Sequence, residues 1–274
     1  MSLNVDLYCA DCIRVLDSMG EQSVDLIFGS PPYEDMRSYD CEFCFVGQDW
    51  VDWMVSVTLS SLKVCRGLVA FVVDGRTRDF RWSATPALLM ADLHRAGVRL
   101  RRPAIYHRHG MCGSGGPDWL RNDYEFIVCC AGAGRLPWSD TRAMGKKSYS
   151  NVNGKACENT NDGKRRNART GKRLSRKRTV SISNPGNVIS CYDKDKNYGN
   201  EAPFRKHLAD FFICSFCPTG GVALDPFCGS GTTCVSAVSN GRNTIGIDCR
   251  MDQISITKNR LLCAYPDNIE INVH

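Results

Sequence analysis

Leu224-Asp225-Pro226-Phe227-Cys228-Gly229-Ser230-Gly231-Thr232-Thr233 is the stretch from which the fold can be read. It closes an apolar run, Gly221-Val222-Ala223-Leu224-Asp225, with the length and content of a buried strand. It then opens a helical pattern over residues 232–240. The glycines between them let backbone N–H groups come close to a ligand at the positive end of a helix. A strand-to-helix turn that holds nothing would use the same residues. Two familiar nucleotide loops are excluded. The turn lacks the Gly-x-Gly-x-x-Gly spacing of a dinucleotide site and the Gly-Lys-Ser/Thr ending of a triphosphate loop. The next apolar run, Asn243-Thr244-Ile245-Gly246-Ile247-Asp248, ends on an acid about 20 residues along, where a carboxylate can accept hydrogen bonds from ribose hydroxyls.

The same alternation continues outward. Strands are expected at residues 3–8, 24–28, 67–73, 98–106 and 123–130, and helices at 13–19, 50–65, 84–96, 206–217 and 251–263. Strands alternating with helices imply an α/β fold, a Rossmann-like doubly wound, mostly parallel sheet covered on both faces. No internal repeat is present.

The chain has 274 residues, 43% of them hydrophobic and 23% charged. That suffices for one large domain with a full core and an inserted lobe. The formal net charge is +6, and its placement matters more than its size. Thirteen lysines and arginines stand against two acids between positions 142 and 178, so the rest of the chain is net acidic. A polyanion-binding lobe concentrates charge in this way, and so does a solvated loop. Residues 132–200 are rich in Gly, Asn, Ser, Lys and Arg and are expected to be loop-rich.

No apolar run reaches the roughly 18–20 residues of a membrane span, and the first residues lack the regions of a signal peptide. The 16 cysteines therefore read as free thiols of a reducing cytoplasm. Cys9/Cys12, Cys41/Cys44 and Cys214/Cys217 have Cys-x-x-Cys spacing. Two such pairs can hold zinc, but these are not spaced as a zinc ribbon. Buried thiols with no metal are the expectation.

Ser30-Pro31-Pro32-Tyr33 follows directly on the strand at 24–28 and Gly29. In open α/β sheets, ligands bind at the carboxyl ends of strands. Two successive prolines fix φ and remove two backbone donors, and their carbonyls are expected to stay free as acceptors. A rigid rim of acceptors with one aromatic face suits a flat base that bears an amino group. The Ser30 hydroxyl and the Pro31 carbonyl would hold the N–H groups, and Tyr33 would stack on the ring. A polyproline turn that merely closes a loop would also fit these four residues.

Taken together, Asp-Pro-Phe-x-Gly-Ser-Gly at 225–231 and Ser-Pro-Pro-Tyr at 30–33 resemble the amino-methylating DNA methyltransferase family. The reaction motif precedes the cofactor motif, as in that family's β-type circular permutation. The resemblance covers nearly the whole chain. Ala10-Asp11-Cys12 with Ser23-Val24-Asp25-Leu26-Ile27 resembles the family's opening stretch, and Ile105-Tyr106-His107-Arg108 and Asn122-Asp123-Tyr124-Glu125-Phe126-Ile127 resemble its later core strands. Ala202-Pro203-Phe204-Arg205-Lys206-His207-Leu208 resembles the helix that backs the methionine end of the cofactor, with Arg205 where the family often has another proline.

The resemblance implies a class I methyltransferase fold, S-adenosyl-L-methionine as cofactor and double-stranded DNA as substrate, with the target base flipped out. It implies that Ser30, Pro31, Pro32 and Tyr33 form the catalytic loop. It implies that Asp11 contacts the cofactor's adenine, that Asp248 holds its ribose, and that Phe204, Asp225, Phe227, Cys228, Gly229, Ser230, Gly231, Thr232 and Thr233 line its methionine side. Residues 1–131 would then be the catalytic half, 201–274 the cofactor half, and 132–200 a target-recognition region. Within that region Lys146, Lys147, Lys164, Arg165, Arg166, Arg169, Lys172, Arg173, Arg176, Lys177 and Arg178 would meet the nucleic acid. Neutralising even about five phosphates would give a slope of log affinity against log salt near −4 to −5.

Serine at position 30 is commoner in N4-cytosine members of the family, and aspartate or asparagine in N6-adenine members, so N4 of cytosine is the expected target and N6 of adenine the alternative. C5 methylation requires a Pro-Cys nucleophile, and no Pro-Cys dipeptide occurs. A non-catalytic DNA-binding relative, and an RNA or protein-glutamine methyltransferase with an Asn-Pro-Pro-Tyr-type motif, are weaker readings. No nuclease signature is visible, so a restriction endonuclease partner would be a separate protein. A homodimer stays open, and a prokaryotic or phage origin is implied.

Overall fold

The computed structural model describes residues 2–34, 43–108, 118, 120–132, 134–148, 157–159, 165–167, 181–192 and 204–274. The first half runs β1 (Leu3–Cys9), α1 (Cys12–Ser18), β2 (Val24–Gly29), α2 (Gln48–Val64), β3 (Cys65–Val73), β4 (Thr77–Arg78), β5 (Arg81–Trp82), α3 (Thr85–Arg95), β6 (Ala104–Arg108) and β7 (Tyr124–Cys130). Five short strands follow: β8 (Lys147–Ser148), β9 (Cys157–Asn159), β10 (Arg165–Asn167), β11 (Ser181–Ile182) and β12 (Val188–Cys191). The chain continues with α4 (Lys206–Phe216), β13 (Val222–Asp225), α5 (Thr232–Ser239), β14 (Asn243–Asp248), α6 (Met251–Ala264) and β15 (Ile269–Val273).

Nine strands form one sheet in the order β12-β6-β7-β3-β2-β13-β14-β1-β15. All neighbours are parallel except β7, which runs antiparallel to both β3 and β6. A parallel return needs a crossover, usually a helix. The sequence offers no helical pattern between β6 and β7, so the chain reverses there. The fold is therefore the expected mostly parallel α/β sheet.

The central strands are buried on both sides, which is why they read as continuous apolar runs rather than alternations. Along β2, Ile27 packs with α1, α2 and α3 through Val15, Trp50, Met54 and Leu89. Leu26 and Phe28 face the other way, against Leu208, Phe212 and Ile213 of α4. A third cluster joins β1 to α5 and α6 through Val5, Leu7, Val238 and Leu261. Phe28 and Phe212 stack at 4.6 Å between ring centroids. Asp25, buried at the amino end of β2, accepts from the Val222 backbone N–H at 2.9 Å and pairs with Arg66 at 2.7 Å. Those bonds pin β2 beside β13, although the two are far apart in sequence.

Two edge strands were not expected. β15 extends the sheet beyond β1, and β12, inside the stretch read as recognition region, extends it beyond β6. The strand expected at 98–106 starts only at Ala104, after Pro103, with an isolated bridge between Leu100 and Cys130. The rest of the basic segment contributes two small ribbons, β8 with β11 and β9 with β10. No helix among the described residues is long and apolar enough to cross a membrane.

Candidate active site

The strand order reverses direction between β2 and β13. From β2 the chain moves through α2 to β3 on one side, and from β13 through α5 to β14 on the other. Such a switch point leaves a crevice outside the carboxyl ends of the two strands. Ser30-Pro31-Pro32-Tyr33 leaves β2 at that end, and the glycine turn leaves β13 beside it. The contact is direct: a β-carbon on Gly29 would lie 2.2 Å from Oδ1 of Asp225 and 3.4 Å from Cδ of Pro226.

Asp225 is buried and organises the turn. Its Oδ1 accepts from the Phe227 N–H at 2.9 Å and its Oδ2 from the Thr233 hydroxyl at 2.6 Å. Burial pushes its carboxyl up to about 7 against those two hydrogen bonds. Gly231 sits in the left-handed region at φ 80 and begins α5, which has no side-chain cap. The first turn of α5 therefore presents backbone N–H groups and positive potential to the crevice. Thr257 donates to the Gly229 carbonyl at 2.8 Å and Arg260 to the Ser230 carbonyl, so α6 braces the turn from behind.

Asp248 ends β14 next to the turn. One of its oxygens accepts from the Gly229 N–H at 3.0 Å, the other from the Arg250 N–H at 2.9 Å. Burial raises its carboxyl above the usual range. Asp11 is exposed and caps α1 by accepting from the Arg14 N–H at 2.9 Å, while the Ala10 N–H donates to the Asp248 carbonyl at 3.1 Å. The two acids are thus on neighbouring loops. Phe204 lies edge-on to Phe28 at 5.3 Å, near the same strand end. Phe227 packs toward Trp53 and Phe71, at 5.6 and 6.0 Å. Cys228 is the member whose side chain turns away. It is buried with Cys234, Val5 and Leu7, its thiol pushed up by Cys234 and by burial, so only its backbone faces the turn.

On the other loop, the hydrogen bonds have a fixed direction. Ser30 donates to the Tyr33 hydroxyl at 3.2 Å, and Tyr33 donates to Oε2 of Glu125 at 2.8 Å. Arg108 holds the other carboxylate oxygen of Glu125 at 2.9 Å. Arg108 also lies 4.0 Å from Asp74, which accepts from the Asn122 amide at 2.8 Å. Burial, together with the Glu125 charge, raises the Tyr33 phenol well above its usual range, and burial raises Asp74.

One expectation needs correction. The Pro32 carbonyl is not a free acceptor, because the Trp50 indole N–H donates to it at 2.8 Å. The Pro31 carbonyl has no hydrogen-bond partner among the described residues.

Glu125, Arg108, Asp74 and Trp50 were not singled out from the sequence. Two had a visible signal, a glutamate within the apolar run of β7 and an aspartate directly after that of β3. Of the basic residues expected to meet nucleic acid, Lys146 and Lys147 are exposed, Lys147 in β8 and Lys146 directly before it. Arg165 and Arg166 lie in β10, and Lys164, Arg169, Lys172, Arg173, Arg176, Lys177 and Arg178 fall outside the described residues. Among the cysteine pairs, Cys12 and Cys217 are buried, Cys9 and Cys214 half-buried and Cys44 exposed, while Cys41 falls outside the described residues. No group of three or more potential metal ligands occurs among the described residues.

A DNA methylase family model covering N6 and N4 enzymes matches residues 24–259. The orphan methyltransferase M.BamHII of Bacillus amyloliquefaciens is 26% identical over 260 residues, 89% of this chain and 91% of that protein. Among solved structures, the cytosine-N4-specific PvuII DNA methyltransferase superposes with a TM-score of 0.70 at 17% identity, over 96% of this chain and 88% of that one. A Thermus thermophilus protein described as a putative DNA modification methylase, complexed with S-adenosyl-L-methionine, gives 0.63 at 21% identity, over 97% and 99%. At these identities the structural likenesses are likenesses of fold.

Proposed function

The chain belongs to the N6/N4 DNA methylase family, whose model spans most of its length, and from that premise we propose that it methylates N4 of cytosine in double-stranded DNA, using S-adenosyl-L-methionine. The observation that carries this reading is the contact between Gly29 and Asp225, which sets the two motif loops on one crevice. The residues fit the cofactor. The uncapped start of α5 suits a carboxylate. The acids Asp248 and Asp11 suit ribose hydroxyls and an adenine edge. Asp225 suits the neighbourhood of a positive charge. The complexed Thermus structure, with the same fold, supports the same cofactor here.

When bound, S-adenosyl-L-methionine supplies an electrophilic sulfonium methyl group. The work of the chain is to present a nitrogen to it. An exocyclic amino nitrogen is a weak nucleophile because its lone pair is delocalised into the ring. Hydrogen bonds that hold both N–H groups favour a nitrogen with more lone-pair character. In this reading Ser30 and the Pro31 carbonyl take that role. The hydrogen bonds around Glu125 support one way for Ser30 to act. A carboxylate only accepts, so the Tyr33 phenol must donate to it, and Ser30 must donate to the phenol. The Ser30 oxygen is then left with lone pairs facing outward and can only accept. Trp50, by fixing Pro32, stiffens the loop that carries these acceptors. Positioning and a dry, preorganised polar site supply most of the rate, and no covalent enzyme intermediate is required. The target base leaves the helix to reach the crevice.

Cytosine is preferred over adenine because serine stands at position 30 and because the PvuII enzyme, specific for N4 of cytosine, has this fold. The basic stretch of residues 132–200 is the proposed recognition region. Mass spectrometry of nucleosides from DNA treated with protein and S-adenosyl-L-methionine tests the assignment. N4-methylcytosine is expected; N6-methyladenine alone would move the target to adenine, and no methylated nucleoside would end the reading.

A further inference from the structure

Arg108 is the last residue of β6. β6 lies antiparallel to β7, and β7 antiparallel to β3, so β6 runs the same way as β3 and β2. Arg108 therefore stands at the carboxyl ends of those strands, where Ser30 to Tyr33 leave β2. Asp74 directly follows β3, and Glu125 is the second residue of the reversed strand β7, so both belong to the same end of the sheet. Glu125 ties Arg108 to the proline loop. One of its oxygens accepts from the Tyr33 phenol at 2.8 Å, and the other lies 2.9 Å from Nη1 of Arg108.

This pairing leaves donors over. A guanidinium carries five N–H donors. Nη1 meets Glu125, and Nη2 donates to the Asn122 carbonyl at 3.4 Å, long for such a bond, with Asp74 4.0 Å away. Nε is buried and has no hydrogen-bond partner among the described residues. The side chain as a whole is 20% exposed, so it is not sealed inside the fold. A lysine would also neutralise Glu125; what arginine adds is a planar fork with donors to spare.

A flipped cytosine brings the acceptors that this fork lacks. In the duplex its N3 and O2 accept hydrogen bonds from guanine. Both lose those donors when the base leaves the helix, and a buried acceptor without a donor is costly. The Ser30 oxygen and the Pro31 carbonyl serve the amino group alone, because they accept. The Tyr33 phenol is committed to Glu125 and the Trp50 indole to the Pro32 carbonyl. Arg108 is the member of this network that has donors left among the described residues.

We propose that Arg108 is a specificity-determining residue, whose guanidinium donates to O2 and N3 of the target cytosine. Adenine offers N1 beside its amino group but carries a C–H where cytosine has O2, so the fork loses one partner with adenine. A site built around a hydrogen bond rejects an analogue that lacks it, because the polar group of the site is left unpaired. The role rests on the methyl-transfer reading, and it gives the choice of cytosine a physical source apart from the serine at position 30.

The test deletes one atom of the base. The position that the wild type methylates in genomic DNA is mapped by sequencing, and two duplexes carrying it are made. One has cytosine at the target, the other a 2-aminopyridine C-nucleoside, which keeps the amino group and the ring nitrogen but has no O2. Methyl transfer to both is measured as kcat/KM for the wild type and for R108K, which keeps a cation beside Glu125 and Asp74. R108K should lose roughly tenfold or more on cytosine and little on the analogue, so its preference for cytosine should shrink by that factor. Comparing preferences cancels the analogue's own reactivity. If R108K melts well below the wild type, R108Q/E125Q, which removes both charges of the pair, is read in the same way. A preference for cytosine that is unchanged in the variant overturns the role of Arg108 and leaves the methyl-transfer reading intact. A wild type that methylates no cytosine overturns that reading itself, and the role of Arg108 falls with it.

Discussion

Gly29 and Asp225 occupy the same space in turn: where the backbone of Gly29 has no side chain, Oδ1 of Asp225 fills the gap, 2.2 Å from where a β-carbon would be. The carboxylate cannot easily retreat, since the Phe227 N–H and the Thr233 hydroxyl both hold it. Gly29→Ala should therefore force apart the ends of β2 and β13. Overpacking of this kind costs about 1–3 kcal/mol. Urea unfolding should show that loss, and calorimetry should show binding of S-adenosyl-L-methionine weakened at least tenfold. An alanine variant with wild-type midpoint and affinity would mean that the two loops are not coupled through this contact.

The pH dependence of stability should carry the mark of Asp225. Its carboxyl is pushed up to about 7 in the folded chain, whereas an unfolded aspartate titrates near about 4. Between those values the unfolded chain has released the proton and the folded chain keeps it. Stability contributed by this group is therefore full below about 4, falls as pH rises to about 7, and is flat above. The difference of roughly three units sets an upper bound of about 4 kcal/mol. Asp225→Asn removes the titration, so calorimetry of the ligand-free protein between pH 5 and pH 8 should show a flatter melting profile than the wild type. A cationic ligand beside Asp225 favours the ionised form, so the variant should also bind S-adenosyl-L-methionine more weakly. Parallel melting profiles for the two proteins would remove Asp225 from this role.

Trp50 fastens the proline loop to α2. Its indole N–H donates to Pro32 from a position that is only 1% exposed. Trp50→Phe keeps most of the ring volume and leaves the Pro32 carbonyl without its donor. An unsatisfied buried acceptor costs about 1–3 kcal/mol. Thermal unfolding should register that loss, and turnover should fall while affinity for S-adenosyl-L-methionine stays near wild type, because the bond that is lost lies on the proline loop. A fall in cofactor affinity alone would place Trp50 elsewhere in the mechanism.

What the sequence revealed and what it hid follow one physical division. The stretch 222–248 was legible because its punctuation is local: an apolar run, glycines that free the turn, a helical pattern and an acid at the next strand end. The parallel sheet followed from that rhythm, and Ser30 to Tyr33 stood out because two prolines stiffen any loop. β15 had the alternation of a half-exposed strand, Ile269-Glu270-Ile271-Asn272-Val273, and could have been found by it. β12 offered four residues in a polar stretch, too few for a period to show. The supporting network was hidden for a different reason. Tyr33 and Glu125 are 92 positions apart, and Trp50 reaches Pro32 across 18. A single sequence records such partners only as a polar residue at the wrong place in an apolar run.

The direction of the hydrogen-bond line from Ser30 to Glu125 can be tested by breaking it at Tyr33. Tyr33→Phe keeps the ring that would stack on a base and leaves Glu125 paired with Arg108 at 2.9 Å, so the buried ion pair survives. What disappears is the phenol that receives the Ser30 proton. Ser30 is then free to rotate and to present its hydrogen to the amino group instead of its lone pairs. Removal of one preorganised polar group from an active site costs on the order of 10²–10³ in turnover, and Ser30→Ala should approach that loss. Tyr33→Phe should lose less, about 10-fold to 100-fold, with KM for S-adenosyl-L-methionine unchanged because neither residue lies on the glycine turn. The double variant decides the matter. If Tyr33 acts only through Ser30, Tyr33→Phe adds nothing once Ser30 is alanine. Losses that multiply in the double variant would show that Tyr33 acts on the base independently, and would take the orienting role away from Glu125.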